Sequence, residues 1–376
     1  MHRLAQSSAK QACNTGPHPN YRTRMSLLEQ RLANDLQDIQ SGILRLGRGV
    51  HKALSHAVQG LLTGNKALSY QTVLGDHPVN REVDALNLKC HRFIAKHLPS
   101  AGHLRFISSS LRIIILIERL GDYAVTISRE AAQLDSPLQG SFKTDLEKMG
   151  SDALEMLEQA LTSYGNQDAA LAEATSGMAR KVDRDYVLAY SDLLVPEGAN
   201  LSRSDQFGRL VIIRQIERVS DQAKNLCEEV VFAETGETKQ RRRYRLLFLD
   251  SKDDGATQMA VAICRKYHTD RIQADSMGSK PADAIRSDIR QLCEERGFDL
   301  SGLDPSNTYQ DKANWAGHDV VITIDSDISD YVDRLPYGLV PIRWDLPSDA
   351  LLESTFQVIS GQVDDLVHLV RGPATS

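Results

Sequence analysis

Aromatic side chains are scarce in this chain, at 6%. That scarcity favours helix-rich packing on aliphatic residues. Long apolar runs are missing too: a conspicuous one, Ile113 to Ile117, falls far short of the roughly 18 residues a membrane-spanning helix needs. Cysteine is sparse and unpaired in pattern, because Cys13, Cys90, Cys227, Cys264 and Cys293 lie far apart, an odd number with no CxxC. This argues against a disulfide scaffold and a zinc knuckle, and fits a reducing cytoplasm. No basic excess exists either. The net charge of −6 argues against indiscriminate binding to nucleic acid or an anionic membrane. What is present suits a folded protein: 41% hydrophobic and 25% charged residues. A length of 376 residues leaves room for two or three domains.

Residues 1–24 carry no helical or strand period and no apolar core of a secretory signal; they read as a tail, or as sequence upstream of a true start at Met25. From Ser26 the pattern changes. Leu28, Leu32, Leu36, Ile39, Ile43, Leu46, Val50, Leu54, Val58 and Leu61 recur at steps of three and four, predicting one long helix closed by Gly64-Asn65. A second helix is expected from about Lys66 to Leu98, stopped by Pro99, and a third from about His103 to Leu134. Long helices on short connections pack antiparallel as a bundle. The pattern then repeats. Val83-Asp84 matches Val182-Asp183, and Glu118-Arg-Leu-Gly-Asp122 matches Glu217-Arg-Val-Ser-Asp221, each offset by 99 residues. That is an internal duplication, with turns expected at Gly165-Asn166 and Val195-Pro-Glu-Gly198. After a polar linker come Leu246–Leu249 and Val320–Ile324, which read as buried strands, with helical stretches around Gln258–Tyr267 and Ala282–Arg296 between them. Alternating strand and helix implies a parallel sheet. The expected order is a disordered tail over 1–25, antiparallel three-helix bundles over 26–138 and 139–234, a linker over 235–243 and an α/β domain over 244–376. Charge divides unevenly, with 27 basic against 28 acidic residues up to 238 and 17 against 22 beyond.

Glu118 and Asp122 stand four residues apart on one helix face, as do Glu217 and Asp221. Like charges at this spacing repel by roughly 0.2–0.5 kcal/mol, and a cation would remove that penalty. Asp84 and Asp183, at matching places on the preceding helices, could add oxygens. Hard oxygen donors suit magnesium, calcium, manganese or iron, whereas zinc favours nitrogen or sulfur as well. The plain alternative is that Glu118 and Glu217 pair with arginines of neighbouring helices.

Two such bundles carrying Glu-Arg-(Leu/Val)-x-Asp-x-Ala-x-x-(Ile/Leu) resemble the PhoU family over about Ser26 to Glu234. The resemblance implies a regulator of phosphate uptake that restrains a phosphate ABC transporter through its ATPase, together with a sensor histidine kinase. It implies metal, such as iron or zinc, on Glu118, Asp122, Glu217 and Asp221. Magnesium is the further candidate, and a homodimer is compatible. The chain departs from the family pattern in several places. The histidine after the motif Asp is Tyr123 in one copy and Gln222 in the other, and the Glu seven residues beyond survives as Glu228 but is Arg129 in the first copy. The family's amide is kept at Asn225 and replaced by Thr126. The second copy therefore holds the fuller donor set.

From about Tyr244 onward the ordered series Leu246-Leu-Phe-Leu-Asp-Ser-Lys-Asp-Asp-Gly-Ala-Thr257, Ala274-Asp-Ser-Met-Gly278, His318-Asp-Val-Val-Ile-Thr-Ile324 and Trp344-Asp-Leu-Pro-Ser-Asp349 is similar to low-molecular-weight tyrosine phosphatases and their arsenate reductase relatives. Chemistry in that family needs a thiolate nucleophile, an Arg clamp and a distant acid. Here Asp250 replaces the Cys, Ala256 the Arg and Thr257 the Ser, while Ser348 beside Asp349 takes the acid position. Cys264 and Cys293 read as core fillers. The resemblance thus implies a degenerate, non-catalytic domain. The enzyme alternative makes Asp250 a carboxylate nucleophile with Asp253 or Asp254 holding magnesium, and a purely structural adaptor is the third reading.

Overall fold

The computed structural model describes residues 27–194, 201–237, 243–306, 315, 317–333, 335, 338–347 and 351–371. The N-terminal tail, the turn at Val195–Gly198 and the positions Ser348 and Asp349 lie outside them. Helix α1 (Leu27–Thr63) is followed by α2 (Lys66–Leu74), α3 (Asp76–His97) and α4 (Ala101–Gln133). The second copy repeats this as α5 (Gly140–Asn166), α6 (Ala169–Ser176), α7 (Ala179–Leu194) and α8 (Arg203–Thr235).

The single helix expected from Lys66 to Leu98 is two. The break falls at Gly75, whose N–H turns back to Gln71 and Thr72 carbonyls. Pro78 three residues on has no N–H to carry an uninterrupted ladder through this turn, but is tolerated in the first turn of α3. The duplicate breaks likewise at Gly177, between α6 and α7. The turn expected at Gly165-Asn166 lies further on. Helix α5 runs through both residues and ends at Gln167, which takes the left-handed conformation (φ 54°). Asp168 then caps α6 by accepting the Leu171 N–H at 2.9 Å, as Asn65 caps α2 through Leu68. Gly165 serves packing instead, since a Cβ there would sit 3.2 Å from Leu44 of α1.

One continuous apolar core runs through both copies. Its centre is the α4–α8 pair, where Ile113, Ile114, Ile117 and Leu120 meet the equivalent Ile212, Ile213, Ile216 and Val219, all buried. Helices α1 and α5 close the other side of the join. Their approach depends on small residues: a Cβ at Gly47 would lie 2.4 Å from Leu161, and one at Gly150 would lie 2.9 Å from Val58.

The C-terminal domain is a parallel four-stranded sheet in the order β2-β1-β3-β4. The strands are β1 (Tyr244–Asp250), β2 (Ile272–Gly278), β3 (Val320–Ile324) and β4 (Val340–Trp344), with helices α9 (Ala256–Tyr267), α10 (Ser287–Glu295) and α11 (Leu352–Arg371). Strands β1 and β3 are almost wholly buried, hence their unbroken apolar runs. Strands β2 and β4 were not evident in the sequence because they lie at the sheet edges and mix polar with apolar residues. Pro341 sits in β4, where an edge position spares it a ladder hydrogen bond. Helix α10 is shorter than the expected 282–296 stretch.

Candidate metal centre

The duplicated acids do not behave alike in the two copies. Glu217 and Asp221, one turn apart on α8, converge with Asp183 of α7: one carboxylate oxygen from each lies within 4.8 Å of the others. Among the described residues this is the one group of three or more His, Cys, Asp or Glu placed to share an ion. Glu118, Asp122 and Asp84 form no such group. Glu118 is half-buried on α4, whereas Asp122 and Asp84 are exposed. Glu228 stands seven residues past Asp221, about 10 Å along the helix axis at 1.5 Å per residue, and is outside the trio.

Glu217 is the buried member, at 8% exposure. Its Oε1 accepts from Arg214 Nη1 at 2.9 Å, while Oε2 is buried without a hydrogen-bond partner. Burial pushes its carboxyl up to about 7, and the negative charges of Asp221 and Asp183 add to the effect against the opposing Arg214 and Arg218. The expected pairing of Glu217 with an arginine of a neighbouring helix is therefore replaced by an i,i+3 pair on its own helix. Arg214 also lies over the Tyr186 ring of α7, 5.8 Å from its centroid. Arg218 leaves the site and covers Tyr123 of α4 at 5.7 Å. Thus the residue replacing the family histidine in the first copy supports an arginine of the second. Arg214 was missed in the sequence, although its place three residues before Glu217 was a legible signal.

A buried, unpartnered carboxylate oxygen facing two further acids is the arrangement a cation stabilises. The donor set, oxygen alone, suits magnesium, manganese, calcium or iron better than zinc. The second copy fits such an ion and the first does not.

In the α/β domain, Asp250 ends β1 above a cleft of about 390 Å³ lined by Lys252, Asp254, Arg286, Asp325 and Leu346, among others. The cleft lies outside the carboxyl ends of β1 and β3, where the chain direction across the sheet reverses, a common ligand position in such folds. Asp250 turns inward to its own loop. Its Oδ1 accepts the Lys252 N–H at 2.9 Å and the Asp253 N–H, and its Oδ2 lies 3.4 Å from Thr257 Oγ1. Asp253 is fully buried in the left-handed region (φ 52°), and its Oδ2 accepts the Ser306 N–H at 3.0 Å. Burial pushes its carboxyl up to about 6. Asp250 thus accepts from the amides of its own loop while lining the cleft, and Asp253 accepts from Ser306 through one oxygen. Cys264 and Cys293 are buried, and burial pushes the Cys264 thiol up to about 12. Neither reaches the cleft.

A duplicated helical bundle with an acidic cluster on one copy, joined to a parallel α/β domain, defines a two-part protein whose helical part carries the duplicated motif. No described helix is long and apolar enough to cross a membrane. The PhoU domain matches residues 43–131 and 146–230, and the chain belongs to the PhoU family. It is 31% identical over 217 residues to the phosphate-specific transport system accessory protein PhoU homolog of Deinococcus radiodurans, covering 56% of this chain and 99% of that protein. The homolog of the same name from Pseudomonas aeruginosa is 29% identical over 216 residues, covering 56% of this chain and 87% of the relative. The crystal structure of the phosphate transport system regulatory protein PhoU from Streptococcus pneumoniae is 27% identical, with a TM-score of 0.52 over 55% of this chain and 99% of that one. An arsenate reductase in its phosphate-binding state aligns at 18% identity and a TM-score of 0.29, over 34% of this chain and 98% of that one. The architecture of the C-terminal domain rests on its own strand order.

Proposed function

We propose that this protein is a negative regulator of phosphate uptake, acting in the cytoplasm on the ATPase of a phosphate ABC transporter and on a sensor histidine kinase. The observation that carries this reading is family membership across both helical copies, with relatives named as accessory proteins of phosphate-specific transport. Four buried free thiols are in keeping with a reducing compartment. The test is complementation of a bacterium lacking its own PhoU. Expression should lower phosphate uptake in phosphate-rich medium, and unchanged uptake would oppose the proposal.

The bundles over 26–138 and 139–234 and the α/β domain over 244–376 divide the work unequally. In the second bundle, Glu217, Asp221 and Asp183 would hold a hard cation, whose charge offsets their mutual repulsion. The α/β domain acts as a non-catalytic module. Asp250 satisfies the amides of its own loop, and Ala256 offers no guanidinium. General phosphoesters should show no turnover with or without magnesium; hydrolysis abolished by Asp250→Asn would instead make the domain an enzyme.

A further inference from the structure

Two ion pairs tie α7 to α5, and their pattern has no counterpart in the first copy. Lys148 of α5 meets Asp185 of α7 at 2.9 Å, and Lys181 of α7 meets Asp152 of α5 at 2.9 Å. The lysines are about half exposed, but both acids are buried, and each has its second oxygen unpartnered. On each helix the lysine and acid are four residues apart, so the rungs stand about 6 Å apart at 1.5 Å per residue. The order of charges is opposite on the two antiparallel helices. A slip of α7 by one turn in one direction sets Asp185 against Asp152; the reverse slip sets Lys181 against Lys148. Only the observed register pairs every charge.

Asp183 lies between Lys181 and Asp185 on α7. A one-turn slip would carry it about 6 Å, more than the 4.8 Å span of the acidic trio. The first copy provides an internal comparison. On α1 the equivalent positions are Arg45 and Gly49, 103 residues earlier, an offset set by the reciprocal packing of Gly47 on Leu161 and Gly150 on Val58; on α3 they are Glu82 and Leu86, 99 residues earlier. Gly49 and Leu86 carry no charge, so the crossed pairs cannot form. Leu86 is buried there against Gly42, and α3 meets α1 through the more exposed pairs Arg45–Glu82, Lys89–Asp38 and Lys96–Asp35. In that copy Asp84, Glu118 and Asp122 form no three-acid group.

We propose that Lys148, Asp152, Lys181 and Asp185 are positioning residues: a register lock that holds Asp183 over Glu217 and Asp221 and confines the cation site to the second copy. The proposal rests on the reading of that trio as a metal site. Partners that hydrogen-bond metal ligands commonly cost about 10–100-fold in affinity when removed. These four residues act one step further out, through the helix that carries Asp183, so the lower end of that range is expected. Ionic groups in interfaces are best attested as register devices.

The test titrates Mn2+ into the full chain, alongside amide hydrogen exchange of the ion-free protein. In Lys148→Met/Lys181→Met, Mn2+ binding should weaken by about tenfold or more. Charge attraction alone predicts the opposite, because removing two positive charges would favour a cation. Exchange should quicken in α7 and not in α3. The variant Lys148→Arg/Lys181→Arg, which keeps the pairs, should bind within about threefold of the wild type, half a tenfold step on the scale cited. Should the methionine pair fail to fold, Lys181→Met alone, with one rung left, should give an intermediate loss. Wild-type affinity in the methionine variant would overturn the lock and leave the metal site standing. Equal loosening of α3 and α7 would also overturn it, as a general destabilisation. A wild type that takes up no Mn2+ would instead remove the metal reading underneath, whatever α7 does.

Discussion

Glu217 gives the ion-free protein a pH dependence that one substitution should remove. Its carboxyl titrates near 7 in the fold, against 4.5 ordinarily. The folded state therefore keeps a proton that the unfolded chain gives up between those values. Stability from this group is greatest below pH 4.5, falls as pH rises through the window, and levels above 7. At about 1.4 kcal/mol per pH unit, the loss on going from pH 4.5 to 8 is on the order of 3 kcal/mol. Since Glu217 is only 8% exposed, little of this is screened away. For a helical part of this size that is roughly 6–12 °C in Tm. The assay is thermal unfolding by circular dichroism after chelation, from pH 5 to 8.5. Glu217→Gln should melt with the wild type at low pH and several degrees above it at pH 8, because the neutral amide carries no buried charge. Excess Mn2+ at pH 8 should raise the wild type and leave the variant nearly unmoved. Parallel wild-type and Glu217→Gln profiles across the whole range would refute the reasoning.

Other outcomes follow from the packing and the loop. Asp250→Ala leaves the Lys252 and Asp253 amides without their acceptor and should cost the α/β domain about 1–3 kcal/mol. The two tryptophans, Trp315 and Trp344, both lie in that domain, so fluorescence during urea unfolding isolates the effect, and an unchanged midpoint would contradict it. Gly47→Ala forces a methyl against Leu161 where α1 meets α5; a loss of about 1–3 kcal/mol is expected in the helical transition. Asp205→Ala removes the carboxylate that accepts the Asp135 and Ser136 N–H groups at 2.9 Å each. This buried clamp joins α8 to the link between the copies, and its loss should lower stability by roughly 1–3 kcal/mol, read by the same dichroism.

Helix periodicity made α1, α4 and α8 legible because each buries one continuous apolar stripe. The breaks at Gly75 and Gly177 were not, since apolar spacing passes through them and only the backbone turns. Strands β1 and β3 announced themselves by being buried on both faces, whereas the edge strands β2 and β4 carry no such run. Exact repetition pointed to both ExxxD pairs, and the Glu228 and Asn225 kept in the second copy already favoured that one. The convergence of Asp183 with only one of them depends on how α7 is held against α5, where Lys148 and Asp152 of α5 meet Asp185 and Lys181 of α7. Asp250 was legible as a departure from a nucleophilic thiol, but its engagement with its own loop amides is a matter of three-dimensional closure.

The most direct test of a cation site confined to the second copy is elemental analysis of three purified proteins: the wild type, Glu118→Gln/Asp122→Asn, and Asp183→Asn/Glu217→Gln/Asp221→Asn. The account predicts bound metal in the wild type and the first-copy variant, and its loss from the second-copy variant. Metal that survives the second-copy changes, or disappears with the first-copy ones, would contradict it.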